Sequence, residues 1–242
     1  MAGDTPARWT WHRLSWLAPV TLGVLFLLVM VTLAGGFEPF LFIFGIIPLI
    51  VGFVGRRFPR RAGPITVLVV MALMILINVE TIIQDIAHPE SFWNFAIFGI
   101  TALTLAVVGL VAAIATLRSR GDNPAPRVAY AAGAVIVAAV VVSGIATLGL
   151  EDDVSVAGDL RVVAEDAEFS PVAVSGSGGV GVFIENKDPI RHTFSIDALD
   201  LEVEIPGSTD RRVEISAPAG TYEFFCAVVG HDDMKGTITI SG

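Results

Sequence analysis

The chain has 242 residues, 54% hydrophobic and only 16% charged, with a formal net charge of −9. Average soluble domains are roughly 25% charged, so this composition excludes both an ordinary soluble globule and a disordered chain. The charge is also unevenly divided: residues 1–150 carry 9 Lys/Arg and 6 Asp/Glu (net +3), and residues 151–242 carry 6 and 18 (net −12). That division implies a membrane region, 1–150, followed by an acidic region outside the bilayer.

A hydrocarbon core about 30 Å thick takes about 20 apolar residues per helix. Runs at 14–34, 39–55, 64–83, 92–117 and 128–150 meet that need and predict five transmembrane helices. The second run is short and carries Pro48, so it either spans or re-enters. The first exceeds the usual apolar core of a signal peptide, and Leu33-Ala-Gly-Gly36 matches a small-x-small cleavage site poorly. It reads as an uncleaved anchor.

The nine basic residues of this region fall in alternate connections: Arg8 and Arg13, then Arg56, Arg57, Arg60 and Arg61, then Arg118, Arg120 and Arg127. The other two connections hold Glu38, Glu80, Asp85 and Glu90. By the positive-inside rule, five helices place the N-terminus in the cytoplasm and residues after 150 outside the plasma membrane. Trp9, Trp11 and Trp16 lie at the inner interface and Trp93 at the outer one, as interfacial aromatics do.

Little chemistry is legible within the helices. His12 and His88 are the only histidines before position 150, which excludes a bis-His haem in the bundle. Met71 and Met74 read either as a soft-metal step or as apolar filler, and no Cys or His joins them. Glu80, Gln84 and His88, four residues apart, share one face at the outer end of the third helix. That pattern suits a docking surface or small site, and equally a helix end emerging into water.

Residues 151–159 form an acidic linker. Beyond it, eight short runs alternate or are β-branched: 160–164, 172–174, 180–185, 192–196, 201–205, 212–215, 221–226 and 236–240. Turn-forming stretches such as Ser175-Gly-Ser-Gly-Gly179 and Ala217-Pro-Ala-Gly220 separate them. Many short strands without helical period predict an all-β domain over 160–242, an antiparallel Greek-key sandwich.

Cys226 is the only cysteine, so no intramolecular disulfide is available. On the oxidising side of a membrane such a residue is an intermolecular link, a reactive thiol or a metal thiolate. Its neighbours point to the last. His231 and Met234 follow at Cys-x4-His-x2-Met, and His192 opens a strand 34 residues upstream. Thiolate and thioether are soft donors and imidazole suits copper; two His and one Cys with a weak axial Met make up the blue-copper set. With every position filled by protein, no coordination site remains for substrate, which favours electron transfer over catalysis.

Residues 160–242 resemble the cupredoxins of the plastocyanin/azurin family. The resemblance rests on Ala167-Glu-Phe-Ser-Pro171, Asn186-Lys-Asp-Pro-Ile-Arg-His-Thr-Phe194, Ala219-Gly-Thr-Tyr-Glu-Phe-Phe-Cys226 and Gly230-His-Asp-Asp-Met-Lys-Gly236. It implies His192, Cys226, His231 and Met234 as ligands of one type 1 copper per chain, with the edge of His231 as the electron port. A single cysteine cannot bridge the binuclear centre of cytochrome oxidase subunit II, and no histidines remain for multicopper oxidase or nitrite reductase sites. Residues 1–150 match no family by their motifs.

The expected function is therefore a membrane-anchored one-electron copper carrier, not an enzyme, working with a redox partner such as a cytochrome or terminal oxidase. Neither nucleic acid nor a small-molecule substrate is expected. The outer charge of −12 serves either to steer a basic partner or simply to maintain solubility. Val228-Val229 and Pro189-Ile190 would flank the histidines either as an apolar docking patch or as ordinary loop packing, and Phe225 would line a second route outward or pack a strand. A rival expectation is copper capture, delivery or sensing; a third is an electron-tap subunit of a larger oxidase complex.

Overall fold

In a computed structural model the described residues are 9–33 and 39–242. Arg8, Glu38 and residues 34–36 of the weak cleavage site lie outside them.

Among the described residues the apolar runs of the first 150 become helices, but six α-helices rather than the five expected. They are α1 (Trp11–Leu33), α2 (Pro39–Arg57), α3 (Ala62–Ile77), α4 (Val79–Ala87), α5 (Ala102–Ala115) and α6 (Pro126–Leu148). The extra helix arises at Asn78, where the third apolar run breaks. Asn78 leaves the helical conformation at ψ 16°, and its Nδ2 donates to the carbonyl of Met74 at 2.7 Å. A side-chain amide competing for backbone carbonyls in this way weakens a helix locally, and α3 and α4 diverge by 61°. Among the described residues, four helical stretches are long and apolar enough to cross a membrane, or up to five if α3 and α4 count as one bent span. One of the four, Trp93–Arg120, is α5 flanked by the π-helical turns Trp93–Thr101 and Thr116–Arg120. The second segment is one continuous helix through the buried Pro48.

The chain divides into two compact units: 1–82 with Ile97–Val140, and Ile83–Ala96 with Val141–Gly242. In the first, Leu22, Phe26, Val51, Val67, Met71, Ala106 and Ala113 form the buried cluster, and Met74 packs against it. Met71 is thus surrounded by apolar side chains. Helices α1 and α2 approach closely where Gly23 faces the carbonyl of Gly45, a space that any Cβ on Gly23 would fill. Large apolar side chains such as Leu28, Val31, Phe53, Leu76 and Ile77 stay exposed, as lipid-facing residues do.

The second unit contains nine strands: β1 (Leu160–Glu165), β2 (Glu168–Ser170), β3 (Ala173–Ser177), β4 (Val180–Asn186), β5 (His192–Ile196), β6 (Leu201–Ile205), β7 (Asp210–Ile215), β8 (Gly220–Phe225) and β9 (Lys235–Ser241). They form one sheet in the order β2-β1-β4-β7 and another in the order β3-β9-β8-β5-β6. Two pairings, β1 with β4 and β3 with β9, are parallel. The sheets are therefore mixed, not wholly antiparallel as expected, because the chain crosses between sheets before it returns beside an earlier strand. The unexpected strand is β2, joined to β1 through Asp166 and Ala167, both at φ 56°. This is the left-handed pattern of a tight hairpin whose twist matches its strands.

Alternation sets the core. β9 buries Gly236, Ile238 and Ile240 and exposes the residues between them. Both sheets contribute to one cluster that includes Val162, Ile184, Phe194, Ile205, Phe224 and Ile238. Phe169, Phe194 and Phe224 meet at its centre with ring centroids 4.8–6.2 Å apart. The linker is laid along β7. The Asp210 and Arg212 amides donate to the carboxylates of Asp152 and Asp153 at 3.0 and 2.8 Å, and Arg212 also pairs with Asp159.

Candidate metal centre

Side chains two apart on a strand share a face, so His192 lies on the face of Phe194, and Cys226, just past the end of β8, on that of Phe224. Strands β5 and β8 are neighbours, with Ser195 opposite Phe225. The two residues thus meet at one end of the sheet, above the aromatic cluster. The loop after Cys226 returns His231 to the same place. Gly230, at φ 92°, makes the turn that aims it, and such a conformation favours glycine. The His231 amide donates to the carbonyl of Val228, and that of Met234 to the carbonyl of His231.

The donor atoms of His192, Cys226 and His231 lie within 4.8 Å of one another, the only such His/Cys/Asp/Glu group among the described residues. The two Nδ1 atoms are 3.1 Å apart, and Cys226 Sγ is 3.8 Å from His192 Nδ1 and 3.4 Å from His231 Nδ1. Donors about 2.0–2.3 Å from one ion stand about 3.5 Å apart when they surround it trigonally. The donor set therefore fits a soft cation such as copper. His192 is wholly buried and His231 half-buried. Met234, at 1% exposure, belongs to the same buried cluster as Cys226, and its carbonyl accepts from the Cys226 amide at 2.9 Å.

Outside the donor set, Asp188 is the main support. Its Oδ2 accepts from His192 Nε2 at 2.8 Å, leaving Nδ1 free to face the other donors. The same carboxylate accepts the amides of Asp166 and Ala167 at 2.9 and 3.0 Å, closing the left-handed β1–β2 turn. Burial pushes the Asp188 carboxyl up, yet His192 and the two amides more than offset this and hold it down at about 2. Burial lowers His192, but Asp188 and Cys226 outweigh it and leave the imidazole raised. For Cys226 burial again opposes ionisation; the contacts to His192, His231 and the Thr193 amide bring the thiol down to about 6. These contacts favour the thiolate, the form that binds metal. The Thr193 amide points at the sulfur at 3.4 Å, and Thr193 Oγ1 accepts from the Ala227 amide at 2.7 Å, locking β5 to the start of the loop that carries His231.

Asn186 holds the 186–191 turn. Its Oδ1 accepts from the Asp188 amide, and its Nδ2 reaches the carbonyls of Ile190, Ile205 and Pro206. In the sequence Asn186 and Asp188 stand within the stretch Asn186–Phe194 that carries the resemblance, with no role assigned to either. The signal available for Asp188 was its four-residue spacing to His192. The expected apolar patch is much reduced: Val228 is buried in the core, Pro189 and Ile190 are half-buried, and Val229 alone is open, at 41% exposure. Phe225 is half-buried within its strand.

Residues 132–240 match the family described as "Cupredoxin-like domain", so the C-terminal part of this chain is a cupredoxin-like domain. The match covers less than half of the chain, and the preceding helical region remains unrecognised. Comparison with curated proteins returns no match. Similar solved structures include auracyanin B, at 19% identity over 37% of this chain and 93% of that one, with a TM-score of 0.31. Amicyanin from Paracoccus versutus has 19% identity over 37% and 86%, with a TM-score of 0.31. A purple cupredoxin from Nitrosopumilus maritimus has 15% identity over 34% and 100%, with a TM-score of 0.30.

Proposed function

We propose that the protein is a membrane-anchored type 1 copper protein that carries single electrons at the outer face of the plasma membrane and is not an enzyme. The observation that carries this reading is the convergence of the Cys226 sulfur and two imidazole Nδ1 atoms within 4.8 Å. One copper ion held by His192, Cys226, His231 and Met234 would supply a reversible one-electron couple. The residues around the donors limit rearrangement: Asp188 fixes the His192 tautomer, and Thr193 gives the sulfur a backbone donor. Burial of His192, Cys226 and Met234 keeps water and small substrates from the donors. His231 is the more open ligand, which suits an electron port, and the exposed Asp232 and Asp233 beside it suit a basic docking partner such as a cytochrome or terminal oxidase.

Anchoring and orientation draw support from the long apolar helices and the alternating basic connections. Two measurements test the reading. The copper-loaded full chain should take up one electron per molecule, bleach and recover on reoxidation without turning over substrate; uptake of two electrons, or no reversible bleaching, would overturn it. Protease added to right-side-out spheroplasts should remove the region after Leu150 and spare the Arg56–Arg61 connection. A protected copper domain would reject the five-span topology.

A further inference from the structure

The segment that carries Gln84 and His88 reaches the turn before His192 and the loop before His231. Residues 83–96 belong to the same compact unit as the β-domain. Asn94, 7% exposed, donates from Nδ2 to Asp85 Oδ1 at 3.1 Å, and its Oδ1 accepts the backbone N–H of Arg191 at 3.1 Å. Arg191 immediately precedes His192. Gln84 Oε1 accepts from Arg191 Nη2 and from the Val229 amide, each at 3.4 Å, and Val229 lies two residues before His231. The Arg191 guanidinium, 2% exposed, pairs through Nη1 with both oxygens of Glu204 at 2.9–3.0 Å. Glu204 also meets His88 Nε2 at 3.3 Å, and His88 Nδ1 meets Glu90 at 3.0 Å. The segment is itself held, because Ser143 Oγ donates to the Pro89 carbonyl at 2.6 Å and Thr147 Oγ1 to that of Glu90 at 3.2 Å.

We infer that Gln84 and Asn94 are positioning residues that tie segment 83–96 to both histidine-bearing loops and set how firmly those loops hold the metal. The inference rests on the copper reading above. A buried amide such as that of Arg191 is destabilised when left without an acceptor. Loss of Asn94 therefore loosens the chain one residue from His192, and loss of Gln84 releases the loop two residues from His231. Two independent loops joined to one segment, through contacts 97 and 145 residues apart in sequence, are more than surface packing needs.

The test uses the full chain in detergent, comparing wild type with Asn94→Leu, Gln84→Leu and Gln84→Glu. Leucine keeps the four-atom branched outline of Asn94, and fills most of the space of Gln84, while removing the polar atoms; Gln84→Glu keeps the acceptor oxygen. In the metal-free protein, hydrogen exchange at the Arg191 amide should quicken about tenfold in Asn94→Leu, the factor that about 1.4 kcal/mol produces. In the copper-loaded protein, transfer of copper to a chelator should quicken by a similar factor, and the thiolate charge-transfer bands should change in relative intensity. Gln84→Leu should affect the same readouts more weakly, and Gln84→Glu should restore them. Should Asn94→Leu not accumulate, Gln84→Leu against Gln84→Glu decides alone. Unchanged exchange, release and spectra in folded variants would overturn the tether. A wild-type protein without a blue band would instead overturn the type 1 reading, and the exchange measurement would still judge the tether.

Discussion

Replacing Cys226 with serine should abolish the intense visible colour of the copper-loaded protein. The colour of a type 1 centre arises from charge transfer out of a thiolate, and Cys226 is the only thiol in the chain. Two imidazoles remain in Cys226→Ser, so metal binding persists in weakened form. The product should be a pale, tetragonal Cu(II) complex with affinity reduced by more than about a hundredfold, beyond what losing an outer-shell contact costs. Serine nearly matches cysteine in volume at a position 5% exposed, so the fold should survive. Absorption and electron paramagnetic resonance spectra of the two proteins check this. A pale wild type, or a blue serine variant, would end the assignment.

Met234 should govern the reduction potential in two opposite directions. A thioether binds Cu(II) weakly and tolerates Cu(I), and axial ligand identity is a recognised control on the couple. In Met234→Gln an amide oxygen favours Cu(II) and the potential falls. In Met234→Leu the donor disappears and the potential rises. Each tenfold change in the ratio of Cu(I) to Cu(II) affinity moves a one-electron potential by about 59 mV, well within the reach of voltammetry. The residue is fully buried and joined through its backbone to Cys226 and His231, so both variants also cost stability. The stability losses should share a sign while the potentials diverge. If both potentials stay at the wild-type value, Met234 packs the loop and does nothing for the metal.

Much of this architecture was legible from residue pattern because the governing interactions are local or compositional. Apolar run length alone announces the long helices, and period-two alternation announces strands such as Lys235–Ser241. The convergence of His192, Cys226 and His231 could be anticipated because their residue types are scarce and chemically specific. What escaped reading depends on contacts between distant residues or on small local competitions. The break at Asn78 is decided by one side-chain amide bonding to Met74 within an otherwise continuous apolar run. Strand β2 exists because Asp188, 20 or more residues away, satisfies the amides of Asp166 and Ala167 in a conformation that alanine seldom adopts unaided. Val228 looked like surface beside Val229, yet the turn at Gly230 sends it into the core. The contacts of Asn94 with Arg191 span 97 residues and have no periodic signature at all.

The acidic stretch between α6 and β1 has a mechanical consequence. Nine free residues would let their ends wander roughly 16 Å apart and give a domain room to swing. Here the Gly149 and Leu150 amides still bond back to Ala146 and Thr147, the Glu151 carbonyl accepts from Arg211, and Asp152, Asp153 and Asp159 are fastened to β7. The stretch is a splint, with no slack left to pay out. A stretch held in this way is part of the compact unit Val141–Gly242 and not a free tether.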